Sequence, residues 1–335
     1  MIAKLLFRAL LPVLLAVILF SAIIVGYYHH SLDRPLDFGK QTFTVDRGET
    51  LGSIAGRLQE RNILQEPYTI KIRARISGID KQIQAGEYQF PINITVRDLL
   101  DSLAQGEDQV ELKTAIIEGW SFKQMRQSIE KADKLDKITS GWSDQEVMSK
   151  LGHPDLHPEG QFYPDTYYYQ SGDTDLSIYV TAFNLMQEKL DAAWRNRSEG
   201  IMIGTRYEAL ILASIIEKET QHRPEQPTIS GVFDNRLRKG MKLQTDPTVI
   251  YGLGDSYNGN ITRKHLRTDT PYNTYTRYGL TPTPISLPGW QSLDAAVNPA
   301  KTDAYYFVAK GKGQHKFSRT LKEHNRAVQK YILNK

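Results

Sequence analysis

The chain has 335 residues, which at roughly 100–200 residues per domain suggests two or three domains. Hydrophobic residues make up 40% and charged residues 24%, so a packed core is expected and disorder throughout is excluded. The absence of cysteine excludes a disulfide framework, a thiolate metal site, a cysteine nucleophile and a lipid-modified cysteine, and a formal charge of +4 is too small a surplus to argue for nucleic acid.

The N-terminus sets the expected location. Residues 9–28 carry no charge, and as a helix they would cover about 30 Å, the thickness of a bilayer core. Lys4 and Arg8 precede them, so the positive-inside rule places residues 1–8 in the cytoplasm and the rest of the chain on the far side of the membrane, in the periplasm or its equivalent. Tyr27 and Tyr28 then sit at the far interface. A cleaved signal peptide would have a shorter apolar region followed by a small-x-small site. Here the run continues into Gly26-Tyr-Tyr-His-His30 with no clear site, which favours a single uncleaved anchor in the cytoplasmic membrane. Residues 29–41 are polar, contain Pro35 and Gly39, and read as a linker that could reach roughly 45 Å when extended.

Residues 42–105 read as a small α+β subdomain. A strand at Phe43 and Val45 meets a turn at Arg47-Gly48. Thr50 is placed to cap a helix whose Leu51, Ile54, Ala55 and Leu58 form one apolar stripe. A second strand is expected over 85–90, and Thr95-Val-Arg-Asp98 is a capping pattern opening a helix through Leu99, Leu100 and Leu103. The first 16 or so of these residues resemble the first half of a LysM module, a small glycan-binding unit. A glycan-binding role and a plain spacer remain equally open.

Residues 106–335 read as a larger mixed α+β domain, giving an α+β fold class overall. A strand is expected within 110–117, a turn at Glu118–Phe122, broken helix over 122–153, and an amphipathic helix over 177–195. Glu159–Tyr169 is dense in aromatic and polar groups. It suits either a sugar site, where rings stack on sugar C–H faces, or tyrosines packed on the core. Thr205-Arg-Tyr-Glu208 is a capping box that opens a helix to Thr220, so Glu208 is explained by capping. Near that helix's end are Glu217 and Glu219. At about 100° per residue Leu212, Ile215, Ile216 and Glu219 share a stripe, while Glu217 lies on the side of Ser214. A carboxyl beside apolar walls has its pKa raised, and a proton held near neutral pH suits a general acid for glycosidic oxygen. An ordinary solvated helix end fits the same residues. Downstream, Leu243-Gln-Thr-Asp-Pro247 sets an amide, a hydroxyl and a carboxylate in a row. Residues 279–289 are too proline-rich for helix or central strand and read as a loop of the kind that lines sites. A short buried strand at 304–308, a turn feeding a last strand by Phe317, and a helix opening at His324-Asn325 complete the chain.

Five strings together resemble the endolytic murein transglycosylase, or YceG-like, family: Ala213–Thr220, Asn235-Arg-Leu237, Leu243–Gly252, Tyr272-Asn-Thr-Tyr275 and Tyr306-Phe-Val308. Glu118-Gly-Trp120, Glu159–Tyr167 and the anchor fit it as well, and the match runs over nearly the whole chain. The resemblance implies cleavage inside peptidoglycan glycan strands by one glutamic acid on the Glu-Lys-Glu-Thr string. We assign it to Glu219, with Glu217 as the alternative. Gln244, Thr245, Asp246, Tyr272, Asn273 and Tyr275 are expected to hold the sugars, each having loop bracing as its plainer explanation.

A hydrolysing glycosidase usually needs two flanking carboxylates, and one well-placed acid suits instead a lytic reaction that closes a 1,6-anhydro ring on muramic acid. If Asp246 is a second catalytic carboxylate, hydrolysis would compete. A silent glycan-binding scaffold is the alternative from another class. A protease is disfavoured, since no Ser/His/Asp grouping in a recognisable context occurs. No metal or other cofactor is expected, and there is no His-Glu-x-x-His string. The expected partners are peptidoglycan strands, the membrane and, from the family alone, peptidoglycan synthases.

Overall fold

A computed structural model describes residues 2–333, with side chains from residue 10 onward, so the side chains of Lys4 and Arg8 lie outside the described residues. Helix α1 spans Ile2–Leu32. Within it Leu10–Leu32, with a hydropathy of 2.6, is the one helix among the described residues long and apolar enough to cross a membrane. Leu10, Val13, Leu14, Leu15, Ile18, Leu19 and Phe20 are all exposed, with none of the described residues burying them.

The chain forms two compact units. The first comprises residues up to Leu112 together with Tyr169–Asp173. After α1 come β1 (Pro35–Leu36), β2 (Phe43–Val45), α2 (Leu51–Glu60), α3 (Pro67–Ser77), β3 (Gly86–Tyr88), β4 (Ile94–Thr95) and α4 (Val96–Gln105). Strands β2 and β3 pair antiparallel with Phe43 opposite Tyr88 and Val45 opposite Gly86, and β1 pairs with β4. Thr50 and Thr95 cap α2 and α4 by accepting the backbone N–H of Ser53 and Asp98, and the whole α2 stripe is buried. The segment read as a linker is instead part of this unit. α1 runs through it to Leu32, β1 follows, and Leu32, Leu36 and Phe38 are buried in the core with Phe43, Ile54, Leu58, Tyr88 and Leu99. Its polar composition hid three apolar residues spaced to face inward.

α3 is a helix absent from the sequence reading. Pro67 starts it at a position that needs no N–H donor, and Gly78 ends it in the left-handed region at φ +73°. Its β-branched residues (Thr69, Ile70, Ile72, Ile76) weaken the local helix signal.

The second unit comprises 113–168 and 174–335. Strands β5 (Leu112–Ala115) and β6 (Thr166–Tyr169) pair. Around them run α5 (Phe122–Glu130), α6 (Asp144–Lys150), α7 (Asp175–Arg195), α8 (Arg206–Glu219), α9 (Gln226–Arg238), α10 (Asp246–Leu253), α11 (Arg263–Arg267) and α12 (Trp290–Val297). The hairpin β7 (Tyr306–Gly311) and β8 (Gln314–Ser318) precedes α13 (Leu321–Val328), which Thr320 and Glu323 open with a capping box three residues before the start read from sequence.

α8 carries the architecture of this unit. Its Thr205–Glu208 capping box forms as expected. Every residue from Ala209 to Glu217 is buried, because α7, α9, α10 and α12 pack around the helix. The apolar stripe inferred from periodicity is therefore only one side of a helix that is enclosed all round, which is why Leu210 and Ile211 lay off it.

The proline-rich segment 279–289 does not line the cleft described below. It lies as a strap on α8: the Ile285 N–H donates to Ser214 Oγ (2.9 Å), Ser286 Oγ to the Ser214 carbonyl (3.1 Å) and the Gly289 N–H to Glu217 Oε2 (3.0 Å). Gly160 allows this approach. It sits at φ +80°, and a Cβ there would collide with Pro284.

Candidate active site

The last residue of α8 opens into a polar cleft of about 360 Å³. Its walls come from Glu219, the 243–246 segment leading into α10, Arg236 of α9, Tyr275, the β7–β8 hairpin with Tyr306 and His315, and His324 of α13.

Glu219 is partly buried, and burial is the main force raising its pKa above the ordinary 4.5. Asp246 adds to the rise, whereas the Thr245 hydroxyl, His315 and Arg236 oppose it. Thr245 Oγ1 donates to Glu219 Oε2. Thr245 is also the N-cap residue of α10, yet its side chain makes no capping bond. The hydroxyl serves the carboxylate instead, and the Thr245 N–H is held by Thr274 Oγ1 at 3.1 Å.

Asp246 is exposed at the start of α10 and accepts a hydrogen bond from Tyr275 at 2.6 Å. Burial, then this bond, pushes the Tyr275 hydroxyl far above the usual phenol range. Gln244 lies exposed on the cleft with φ +49°, a backbone conformation that non-glycine residues rarely adopt.

The structure thus brings together Glu219, Gln244, Thr245, Asp246 and Tyr275, but not Tyr272 and Asn273. Asn273 is 1% exposed and braces its own loop. Its amide donates to the carbonyls of His265 (3.1 Å) and Thr268 (2.7 Å), and its oxygen accepts the Tyr275 N–H (2.9 Å). Tyr272 packs edge-on against Tyr251 and bonds Thr283 at 2.9 Å. Each is explained by the loop it holds.

Arg236, His315 and His324 are among the cleft residues that sequence does not single out as site residues. Arg236 is 7% exposed and donates to the carbonyls of Leu243 (2.6 Å) and Tyr305 (2.6 Å), tying the 243–246 segment to the hairpin. His315 shares Nδ1 with Glu225 at 2.9 Å, and its backbone N–H also donates to that carboxylate, so Glu225 fixes the ring that faces the cleft. His324 stacks on Tyr306, and burial lowers its pKa. Strings containing Arg236 and Tyr306 were visible in sequence, but which of their side chains reach the cleft depends on tertiary packing.

Glu217 faces away from the cleft. It is buried, accepts the Gly289 N–H at the start of α12, and has its pKa raised chiefly by burial. The Glu159–Tyr169 cluster also lies away from it. Tyr167 and Tyr169 are buried, with Tyr167 bonded to the Tyr163 carbonyl. Glu159 is 4% exposed and accepts the Phe122 N–H (2.9 Å) and the Tyr251 hydroxyl (3.2 Å). Burial pushes its pKa up to about 7. Among the described residues no cluster of His, Asp and Glu could hold a metal ion.

A mixed α+β protein with one carboxylic acid at the end of an enclosed helix, facing a polar cleft, is the class that this fold and site define. The chain belongs to the YceG-like family, whose family model it matches over residues 43–330. It is 30% identical to the endolytic murein transglycosylase of Bacillus subtilis over 92% of this chain and 90% of that protein. It is 24% identical to the endolytic murein transglycosylase of Streptococcus pneumoniae, again over 92% of this chain but only 63% of that longer protein. A crystal structure of a YceG-like protein of Listeria monocytogenes superposes with a TM-score of 0.52 at 28% identity, covering 86% of this chain and all of that one.

Proposed function

We propose that the chain is an endolytic peptidoglycan lytic transglycosylase, held at the cytoplasmic membrane by α1 with the folded units outside the cytoplasm, and that Glu219 is its catalytic acid and base. The observation that carries this reading is the position of Glu219: the end of an enclosed helix, in a polar cleft, with burial raising its pKa. The names of the relatives in Bacillus and Streptococcus support the substrate and the reaction class.

In this mechanism Glu219 protonates the oxygen linking N-acetylmuramic acid C1 to N-acetylglucosamine, and the C1–O bond breaks to an oxocarbenium-like centre. The Glu219 carboxylate then takes the proton from the muramic acid C6 hydroxyl, whose oxygen closes the 1,6-anhydro ring on C1. Thr245 engages Oε2 and leaves Oε1 for the transferred proton. Gln244, Asp246 and Tyr275 hold the sugars. Cutting of nascent strands, close to membrane-bound synthases, fits an enzyme in which the end of α1 packs directly into the core of the first unit.

The β2–α2–α3–β3 order of the first unit supports its likeness to a LysM module. A cleft of about 720 Å³ lies there, lined by the charged side chains of Asp46, Glu49, Lys71, Arg75, Asp80 and Lys81 together with Leu51 and Ile83, and by no aromatic ring. That lining suits hydrogen bonds to sugar hydroxyls more than stacking.

Mass analysis of products from purified sacculi tests the reading. The parent chain should release fragments with anhydro ends, and Glu219→Gln should abolish release while leaving sacculus binding intact. Reducing ends, lost on Asp246→Asn, would mean a muramidase. Binding with no cleavage by the parent would mean a silent scaffold.

A further inference from the structure

Helix α3 carries two opposite apolar faces. Ile70 and Ala74 are buried in the core of the first unit. Tyr68, Ile72 and Ile76 are 76%, 50% and 72% exposed. At about 100° per residue these three fall within about 80° of one another and diametrically across the helix from Ile70 and Ala74. An apolar stripe that points away from its own core is not explained by folding.

Two further observations say what covers it. The charged side chains of α3 are all cations: Lys71 and Arg75 flank the stripe on one side, where they also border the cleft of this unit, and Arg73 lies on the other. No acid occurs within the helix. In addition, the start of α3 is tied to the far end of the apolar segment of α1. Tyr27 donates to Glu66 at 2.5 Å, and Ser31 bonds the buried Thr69 at 3.1 Å. The N-terminal end of α3, where the stripe begins at Tyr68, thus lies beside the point where α1 would leave the bilayer.

We propose that α3 lies on the membrane surface, with Tyr68, Ile72 and Ile76 in the headgroup–acyl boundary and Lys71, Arg73 and Arg75 reaching anionic headgroups. This rests on reading α1 as a membrane span. An exposed apolar stripe flanked by cations is the make-up of an interfacial helix, and long basic side chains let their stems follow the stripe while their charges stay at the phosphates. With α1 it makes a second point of attachment, which fixes how the first unit sits on the membrane instead of leaving it to swivel.

The chain has no cysteine, so single labelling sites can be introduced directly. The full chain is reconstituted in phosphatidylglycerol-containing vesicles with a fluorophore at Ile72→Cys, Ile76→Cys, Val17→Cys or Gln59→Cys, and quenched by nitroxides carried on the lipid chains. Labels at 72 and 76 should be quenched to within about twofold of the label at 17, and the label at 59 should not be quenched. If 17 is quenched while 72 and 76 behave like 59, the proposal is overturned and the anchor stands. If 17 is not quenched, the anchor reading fails and the proposal with it. In vesicles of phosphatidylcholine alone, or with Lys71, Arg73 and Arg75 all changed to Gln, quenching at 72 should fall about threefold with 17 unchanged. Equal quenching in both lipids overturns the assignment to anionic headgroups. A label at 72 that becomes shielded only when another membrane protein is added would give the stripe to a protein partner and overturn the proposal.

Discussion

The hydroxyl of Thr245 donates to Oε2 of Glu219, joining the N-cap residue of α10 to the last residue of α8. A threonine at this position usually satisfies an N–H of its own helix, and here that bond is absent. Thr245→Val should therefore cost α10 little and act on the acid. The lost bond favoured the charged form, so its removal raises the Glu219 pKa further. The cleavage step needs Glu219 protonated, so activity falls as pH rises through that pKa. The high-pH limb of kcat/KM should move up, and kcat should fall about tenfold, the size of one charge-assisted hydrogen bond. A pH–rate profile of strand cleavage measures both, and an unmoved limb would show that Thr245 does not tune the acid.

Glu217 is the other acid on the same turn of sequence, and its bond to the Gly289 N–H marks it as a structural group. Glu217→Gln keeps an acceptor for that N–H, and cleavage should stay within about threefold of the parent. Glu217→Leu leaves a buried donor unsatisfied and should cost about 1–3 kcal/mol. Assays of both variants beside thermal melts decide the point. A dead but well-folded Glu217→Gln would move the catalytic role one helix face over.

The separation of these two acids was legible because helix period alone sets Glu217 beside Ser214 and Glu219 elsewhere. The capping residues Thr50, Thr95 and Thr205 were legible because a cap is a local pattern of side chain and nearby N–H. Tertiary demands hid the rest. α3 was masked by β-branched residues, and its stability comes from Ile70 and Ala74 meeting the core. Proline content correctly ruled out helix in 279–289, but could not tell a strap bonded to Ser214 from a loop at the site. Asn273 and Tyr275 stand two residues apart in one string, and only the fold sends one inward to brace carbonyls and the other to Asp246.

Arg236 shows how far the site depends on a residue that need not touch sugar. Its planar fork reaches the carbonyls of Leu243 and Tyr305 from one buried position, which a single ammonium cannot copy. Arg236→Lys should destabilise the second unit by about 1.5–3 kcal/mol, the range for hydrogen bonds to a charged group. It should also raise KM more than it lowers kcat, since the 243–246 segment loses its tie while Glu219 stays on α8. Denaturant unfolding and steady-state kinetics test the two parts, and an unchanged KM would show that the segment holds its shape without the arginine.

Glu159 predicts a pH dependence of stability separate from catalysis. Its pKa rises from the ordinary 4.5 to about 7 on folding, chiefly through burial. Below pH 4.5 the group is protonated whether the chain is folded or not and contributes no pH dependence. Between 4.5 and 7 the unfolded chain releases the proton while the folded one keeps it, so stability falls as pH rises, and the fall levels off above 7. At 1.36 kcal/mol per pKa unit the loss is about 3 kcal/mol. Glu159→Gln keeps an acceptor for the Phe122 N–H and has no proton to lose. The melting temperature of the variant should match the parent near pH 4.5 and exceed it at pH 8. Parallel melting curves across this range would show instead that Glu159 titrates alike in both states, and the burial argument for it would fail.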